Sequence, residues 1–269
     1  MKNNSPIGMP PTARGRVPHH LKFAHFPSLS RAIQCEHGSR LTGLRILDIG
    51  CGPGNLPVFC EVHSECRLFG VDLWPNQLRQ AAEKEAYEAL FQVNLVDGLP
   101  FMRESFDIIV CNEVLMYMPN AAEILTESYR VLAPEGKLFV YNPINWLPRT
   151  HSVIKRLTRK IYQERKSISL DAQSNWKAAE RACRITYYSF KSLIEQIRSA
   201  NFHVAEITGF RLFRNRIRVM TRLENYAPYR RLVLLLTERY PQVASDLFVV
   251  AYKKAIVKTE LVCLDRAAA

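Results

Sequence analysis

The sequence predicts a doubly wound α/β fold, in which helices cover both faces of a parallel sheet. Short apolar runs alternate with amphipathic stretches from residue 44 onward, and a glycine-rich turn follows the first of these runs. Strands that alternate with helices of about 10–15 residues are typical of parallel sheets, and right-handed crossovers place those helices on both faces. Ligands of such folds bind beyond the carboxyl ends of the strands.

The predicted elements follow the chain in order. Apolar runs bounded by turn residues predict strands at 45–49 (R-I-L-D-I), 67–72, 90–93 and 106–111 (F-D-I-I-V-C). Helical periodicity predicts helices at 55–63, 75–89 and 121–132, the last ended by Pro134 and Gly136. A fifth strand follows at 137–141. After an interruption, the pattern resumes with a helix at 189–200, a strand at 204–207, a helix at 229–239 and a strand at 247–253.

Composition along the chain predicts its domain organisation. Residues 1–20 contain four prolines, two glycines and few large apolar side chains, so we expect a flexible N-terminal arm over 1–25. One domain is expected over 26–254, followed by a tail over 255–269. Within it, residues 145–186 contain a basic helical stretch at 153–166 and no clear strand. This segment is expected to form a helical lid inserted above the sheet.

The overall composition excludes several classes of protein. Hydrophobic residues make up 48% of the chain and charged residues 23%, which are values of a globular protein and not of a disordered or collagen-like chain. No apolar run approaches the roughly 18 residues of a membrane span, and the N-terminus lacks the apolar core of a secretory signal. Seven cysteines without C-x-x-C or metal-ligand spacing predict neither disulfides nor a metal site, and favour a reducing cytoplasm.

The net charge of +12 is divided unevenly, with −7 over residues 41–144 and +14 over residues 145–269. The basic half predicts an anionic partner, although basic side chains also solvate ordinary helix surfaces. The helical stretch at 153–166 fits either a lid or a helix on an anionic membrane surface. A second cluster fits a phosphate or carboxylate clamp, and consists of Arg211, Arg214, Arg216, Arg218 and Arg222.

The most specific motif is L-D-I-G-C-G-P-G-N at 47–55. Its glycines permit a sharp turn and the close approach of a ligand. Asp72 ends the second predicted strand, where a carboxylate can accept hydrogen bonds from both hydroxyls of a ribose. A dinucleotide fingerprint, G-x-G-x-x-G, needs a small residue where Asn55 stands, so the spacing favours a ligand without a pyrophosphate.

Together, these residues resemble the first two motifs of class I S-adenosylmethionine-dependent methyltransferases, in particular the small-molecule branch with the ubiquinone and menaquinone C-methyltransferases. Residues 94–101 (N-L-V-D-G-L-P-F), 105–115 and 129–138 resemble later motifs of that family in the same order. Over residues 44–145 the resemblance rests on several sequence motifs. Over residues 187–254 it rests only on the alternation of predicted helices and strands. It implies a Rossmann-like, mostly parallel seven-stranded sheet with an antiparallel last strand, and S-adenosyl-L-methionine as cofactor.

The resemblance also implies roles for individual residues. The glycine turn accommodates the methionine end of the cofactor, and Asp72 binds its ribose. Asn94 stands where the family usually has Asp against the adenine amino group, with the backbone of Leu95 beside the ring. Asn112 and Glu113 line the sulfonium end. The full predicted cofactor-binding set is Asp48, Gly50, Cys51, Gly52, Gly54, Asn55, Asp72, Leu73, Asn94, Leu95, Asn112 and Glu113.

The sequence says less about the acceptor of the methyl group than about the cofactor. In-line methyl transfer requires mainly the alignment of the reacting atoms and the exclusion of water, so it needs no characteristic catalytic residues. Tyr117, His151 and Tyr188 are the catalytic candidates, and each also fits a packing or hydrogen-bonding role. We expect a small or lipid-like, anionic acceptor methylated at O, N or C, and a cytoplasmic location, free or peripheral at the membrane surface. A methyltransferase of RNA or protein and a catalytically silent binding protein remain alternatives, although aromatic residues are not interleaved with the Arg cluster for stacking on bases.

Overall fold

A central mixed sheet organises the molecule. The computed structural model describes residues 29, 42–60, 66–118, 120–144, 186, 188–211 and 226–253. Within these residues the strands are β1 (Arg45–Ile49), β2 (Arg67–Asp72), β3 (Ala89–Gln92), β4 (Phe106–Asn112), β5 (Leu132–Pro143), β6 (His203–Phe210) and β7 (Asp246–Tyr252), in the spatial order β3-β2-β1-β4-β5-β7-β6. Six of these seven strands run in the same direction, and β7 runs antiparallel to them between β5 and β6. The predicted doubly wound sheet with an antiparallel last strand is confirmed.

Helices connect the strands and cover the sheet. They are α1 (Asn55–Phe59), α2 (Pro75–Ala82), α3 (Ala121–Val131), α4 (Phe190–Ser199) and α5 (Ala227–Arg239). Two of them begin at polar caps that satisfy backbone donors: Asn120 Oδ1 accepts the N–H of Ala122, and Ser189 Oγ accepts the N–H of Ser192. Pro75 opens α2, where its missing N–H removes no helical hydrogen bond.

The core lies on both faces of the sheet. Successive residues of β1 alternate between the two sides, so that Leu47 belongs to one cluster of buried apolar side chains and Ile46 to the other. The inner strands are buried on both faces and therefore have near-continuous apolar sequences. This packing holds the strand ends in fixed positions.

The chain reverses its direction across the sheet between β1 and β4. From β1 it proceeds outward through β2 and β3, and then returns to place β4 and β5 on the other side. Such a reversal opens a crevice at the carboxyl ends of the two central strands. The glycine turn after β1 and the loop after β4 both begin at this point.

Several predicted boundaries of helices and strands are wrong, and some for identifiable reasons. The helix predicted over 75–89 ends at Ala82, because Glu85 adopts a left-handed conformation (φ 53°) that turns the chain toward β3. The helix predicted to reach residue 132 ends at Val131, and β5 begins directly at Leu132, well before the predicted residue 137. Pro134 and Gly136 therefore lie within the bounds of β5, where the pairing with β4 shifts register.

The predicted domain boundaries remain predictions. The arm over 1–25, nearly all of the lid over 145–186 and the tail over 255–269 lie outside the described residues. The helix predicted over 55–63 is too long, because it ends at Phe59 and Cys60 adopts an extended conformation (φ −119°). Residues 61–63 lie outside the described residues.

Candidate functional site

The glycine turn after β1 has one side packed and one side open. Gly50, Gly52 and Gly54 all have positive φ angles, of 66°, 54° and 78°, which L-residues with a Cβ rarely adopt. A Cβ on Gly50 would overlap the side chain of Val114, from the loop after β4. A Cβ on Gly52 would meet nothing closer than the Oε1 atom of Gln77, at 3.9 Å. The backbone at Gly52 is therefore accessible to a ligand.

Asp72 ties the end of β2 to this turn. Its Oδ2 accepts the N–H of Gly52 at 2.9 Å, and its Oδ1 accepts the N–H of Trp74 at 2.8 Å. Burial raises the pKa of this carboxyl, and the hydrogen bonds from the backbone of Trp74 and Gly52 act against that rise. An ionised carboxylate offers about four lone-pair positions, so Asp72 retains acceptor capacity for a ligand.

Asp48 lies beneath the turn and supports it. The side chain is 2% exposed, and its Oδ2 accepts a hydrogen bond from the hydroxyl of Tyr87 at 2.8 Å. Burial raises the pKa of Asp48 to about 7, while the Tyr87 hydrogen bond lowers it and the charge of Asp72 raises it. Burial likewise raises the pKa of the neighbouring Cys51 thiol, which makes this cysteine a packing residue and not a nucleophile. Asp48 thus acts on the site through the turn.

Two buried amide oxygens at the crevice have no hydrogen-bond partner among the described residues. They are Gln77 Oε1, on α2 beside Gly52, and Asn112 Oδ1, at the end of β4. Buried polar atoms without partners are rare in native proteins, because each costs about 1–3 kcal/mol. Both atoms are acceptors, and they suit a ligand that carries ammonium or hydroxyl donors.

The loop after β4 forms the opposite wall and is held at three points. Glu113 has a positive φ of 59°, and its N–H donates to the carbonyl oxygen of Tyr141 at 2.7 Å. Met116 donates its N–H to Asn142 Oδ1 at 3.1 Å, and its carbonyl oxygen accepts the N–H of Thr186 at 2.8 Å. Strained backbone that is fixed in this way is common at functional sites.

The predicted adenine contacts lie at the same edge of the sheet. Leu73 is 38% exposed directly after Asp72, and Leu95 is half-buried. Asn94 caps a short 3-10 turn, with its Oδ1 accepting the N–H of Val96 at 3.3 Å and its Nδ2 donating to Asp97 at 3.0 Å. Its amide is therefore partly engaged within its own turn, and a contact with adenine would use the remaining lone pair.

The catalytic candidates differ in position. Tyr117 is half-exposed on the loop after β4. Tyr188 is 6% exposed in the apolar core, and burial raises its pKa against a hydrogen bond from the backbone of Ala121. This burial favours a packing role. His151 lies outside the described residues.

Arg211, one of the five arginines of the predicted anion clamp, is bound to side chains of the protein itself. Arg211 is buried and donates through Nε to Asp246 at 3.0 Å and through Nη2 to the hydroxyl of Tyr141 at 2.7 Å. The expectation that Arg211 clamps a phosphate or carboxylate is therefore wrong, because its guanidinium serves an internal ion pair. The other four arginines of the cluster lie outside the described residues.

Sequence reasoning missed three residues of this site: Tyr87, Gln77 and Asn142. Gln77 reaches the turn from α2, and Tyr87 reaches it from the segment that follows α2. No local sequence motif marks either residue. Asn142 does stand in a recognisable place, at the end of a strand, but its partner Met116 is 26 residues away in the chain.

The fold and the site together define a class. A sheet with antiparallel β7, a glycine turn at the reversal of strand order and an acid at the end of β2 are the features of the class I methyltransferase fold. Residues 47–140 match the family described as "Methyltransferase domain". This segment is therefore similar to class I S-adenosylmethionine-dependent methyltransferase domains, a class whose cofactor is S-adenosyl-L-methionine.

Curated relatives match a part of the chain. It is 37% identical over 121 residues to a probable methyltransferase, ltbC, of Aspergillus luteorubrus (39% of this chain, 42% of the relative). It is 31% identical over 114 residues to trans-aconitate 2-methyltransferase of Methylobacterium nodulans (42% and 43%). It is 33% identical over 102 residues to demethylmenaquinone methyltransferase of Listeria monocytogenes (36% and 43%). The chain thus spans less than half the length of these relatives.

Solved structures extend the likeness of the fold to most of the chain. A putative S-adenosylmethionine-dependent methyltransferase from Listeria monocytogenes aligns with a TM-score of 0.56 and 13% identity, over 88% of this chain and 100% of that one. The [4+2]-cyclase SpnF aligns with a TM-score of 0.53 and 18% identity, over 85% and 81%. These likenesses show the fold alone, and the cyclase shows that the fold does not fix the reaction.

Proposed function

We propose that this chain is an S-adenosylmethionine-dependent methyltransferase that acts on a small or lipid-like acceptor. The observation that carries the proposal is the open face of Gly52, which lies between the carboxylate of Asp72 and the unpartnered buried oxygen of Gln77. The family match and the relatives support the same activity.

The residues around the turn fit this cofactor. When bound, it supplies an electrophilic methyl group on a sulfonium cation. Asp72 would accept hydrogen bonds from the ribose hydroxyls, and Gln77 Oε1 and Asn112 Oδ1 would accept from donors of the methionine end or the ribose. Leu73 and Leu95 would border the adenine. The acidic character of residues 41–144, with a net charge of −7, favours a cationic ligand.

The loop after β4 would shape the acceptor side of the reaction. The three hydrogen bonds of Glu113 and Met116 hold this loop in place, so it would orient the acceptor and exclude water during an in-line displacement. Tyr117, which is half-exposed on this loop, is the described candidate for contact with the acceptor. A general base is needed only for an acceptor that retains its proton.

The acceptor class is inferred from the relatives and from charge. One relative is named for trans-aconitate, which is a carboxylate, and another for demethylmenaquinone, which is a lipid quinone. The net charge of +14 over residues 145–269 favours an anionic acceptor or an anionic surface that presents it. Among the described residues, no helix is long and apolar enough to cross a membrane. The cytoplasmic location predicted from the cysteines stays a prediction.

Calorimetric titration with S-adenosyl-L-methionine tests the proposal. We expect saturable binding to the full chain, and at least about tenfold weaker binding to Asp72→Ala, because one charged acceptor is worth about 1.4 kcal/mol or more. Glu83→Ala removes the same charge from an exposed position at the end of α2, and is expected to bind as the original chain does.

Circular dichroism shows whether each variant is folded, and transfer of a labelled methyl group to extracted small molecules and lipids tests turnover. Equal affinity of a folded Asp72→Ala variant would refute the site. Binding without methyl transfer to any fraction would favour a silent binding protein.

A further inference from the structure

Helix α5 turns leucines toward solvent. Leu232, Leu235 and Leu236 are 54%, 65% and 37% exposed, and their i, i+3, i+4 spacing places them on one side of the helix; we refer to these three residues as the leucine face. Val233 and Thr237 are buried on another side of the helix, and Thr237 packs against Gly209 of β6, whereas Leu234 is also 40% exposed. Leucines are expected to face inward in an amphipathic helix, so this arrangement needs a partner.

The surroundings of the leucine face are basic and aromatic. Arg231 and Arg239 are exposed on the same helix, and the guanidinium of Arg239 lies 5.6 Å from the centre of the Tyr240 ring. Tyr226 and Tyr240, at the two ends of the helix, are 64% and 47% exposed. Exposed leucines flanked by arginines and tyrosines are typical of helices that lie in a lipid interface.

We propose that the leucine face of α5 docks on the surface of an anionic lipid bilayer. Charge argues for this occupant over a second copy of the chain, because two faces bordered by arginines, in halves that each carry +14, would repel one another. Nucleic acid is disfavoured as the occupant because the centre of the face is aliphatic: its bases stack on aromatic rings, and here the two exposed tyrosines lie only at the ends of the helix. A lipid surface accepts both the leucines and the arginines.

This docking places the candidate site next to lipid, a step that rests on the proposed function. Thr237 packs against Gly209, near the carboxyl end of β6. Because β6 runs parallel to β1 and β4, that end lies at the same edge of the sheet as the glycine turn. A bilayer against α5 would therefore deliver a lipid-like, anionic acceptor to the edge of the sheet where methyl transfer is proposed.

Sedimentation of the full chain with vesicles tests the docking. We expect binding to vesicles of phosphatidylcholine with phosphatidylglycerol, weakening as salt rises, and at least tenfold weaker binding to phosphatidylcholine alone. Leu232→Gln/Leu235→Gln removes two exposed leucines and is expected to reduce the apparent affinity about tenfold or more. Val58→Gln/Met102→Gln removes two apolar side chains that are 53% and 83% exposed elsewhere, and is expected to bind as the original chain does.

Two measurements on the same samples separate the possible failures. If Leu232→Gln/Leu235→Gln binds anionic vesicles as tightly as the original chain, the docking proposal is wrong. It is also wrong if analytical ultracentrifugation shows a dimer that this variant dissociates, since a second copy then covers the face. Calorimetry with S-adenosyl-L-methionine is expected to be the same for the variant and the original chain. If neither protein gave a heat of binding with S-adenosyl-L-methionine, the proposed function would be refuted. The vesicle experiment would still test the docking of α5 on lipid.

Discussion

The two ends of the strand order differ in whether buried polar groups have hydrogen-bond partners. On the side of β1 and β2, the amide oxygen of Gln77 is buried beside the glycine turn without a partner among the described residues. At the start of β7, by contrast, the buried polar groups bind one another: Asp246 accepts from Arg211 and from Ser245 Oγ, and Arg211 also donates to Tyr141. The first side is organised to receive a ligand, and the second is organised to hold itself together.

This difference follows from where each group lies. The unpartnered oxygens of Gln77 and Asn112 lie at the reversal of strand order, where the fold leaves a crevice. Closed pairs stand where antiparallel β7 fills the space between β5 and β6. We therefore expect substitutions of the Arg211–Asp246 pair to change the free energy of unfolding and to leave the affinity for the cofactor unchanged. Only on the glycine-turn side do we expect substitutions that also change this affinity.

The largest effect is expected from Asp246→Ala. Asp246 is fully buried, so its removal leaves the guanidinium of Arg211 buried without its carboxylate. We expect a loss of about 3–5 kcal/mol in the free energy of unfolding, measured by urea denaturation, with unchanged cofactor affinity of the folded fraction.

The double variant Arg211→Met/Asp246→Leu is the control for this prediction. It removes both charges, and it should recover much of the loss because no unpaired ion remains. A double variant that is less stable than Asp246→Ala would show that the ion pair is itself a major source of stability.

Asp48 is expected to make stability depend on pH on the glycine-turn side. Its pKa lies near 7 in the folded chain and near 3.8 in an ordinary carboxyl, so the unfolded chain binds fewer protons between these values. The stabilising contribution of protonated Asp48 is present in full below about pH 4, and is lost as the pH rises through about 7.

Asp48→Asn removes this titration. Relative to the original chain, the variant should gain stability between pH 4 and pH 8, by up to roughly 4 kcal/mol at 1.4 kcal/mol per pKa unit. Urea denaturation at several pH values measures the difference. Asp72, whose pKa is also raised, keeps a slope of the same sign in both proteins. A constant difference across this range would contradict the assignment.

Sequence reasoning succeeded where the structure depends on local pattern. The bounds of β1 and β2 were predicted to the residue, because each is a short apolar run next to turn residues. The glycine turn and Asp72 were recognisable for the same reason, since their chemistry is set by spacing along the chain.

It failed where distant residues decide the outcome. No residue near Glu85 in the sequence predicts its left-handed conformation. This conformation turns the chain so that the hydroxyl of Tyr87 reaches Asp48. Arg211 appeared as part of a basic cluster, whereas its partner Asp246 lies 35 residues later in the chain. Ion pairs and hydrogen bonds of this kind depend on tertiary packing, which a single sequence does not display.

The two glycines of the turn should separate packing from binding. Gly50→Ala introduces both a left-handed alanine and an overlap with Val114, and is expected to lower the free energy of unfolding by about 2–4 kcal/mol. Gly52→Ala meets no near neighbour, so we expect a loss of only about 1 kcal/mol from its positive φ. Because its methyl group projects into the open face, Gly52→Ala should weaken cofactor binding in calorimetry. Equal effects of the two variants on stability would contradict this division.

Gln77→Leu provides the smallest and most specific comparison. Replacing an unpartnered buried amide by an apolar side chain of similar size removes a desolvation penalty, so the ligand-free protein should become about 1 kcal/mol more stable. The same change should weaken binding of S-adenosyl-L-methionine, because an acceptor beside Gly52 is lost.

Gln196→Leu is the matched control for Gln77→Leu. Gln196 Oε1 is also buried without a partner among the described residues, but it belongs to α4, away from the glycine turn. This variant should show a similar gain in thermal stability and unchanged cofactor affinity. If Gln77→Leu and Gln196→Leu changed stability and affinity alike, Gln77 would be an ordinary buried residue. If only Gln77→Leu combined higher stability with weaker cofactor binding, the Gln77 side chain would be shown to bind the ligand at a cost to the stability of the free protein.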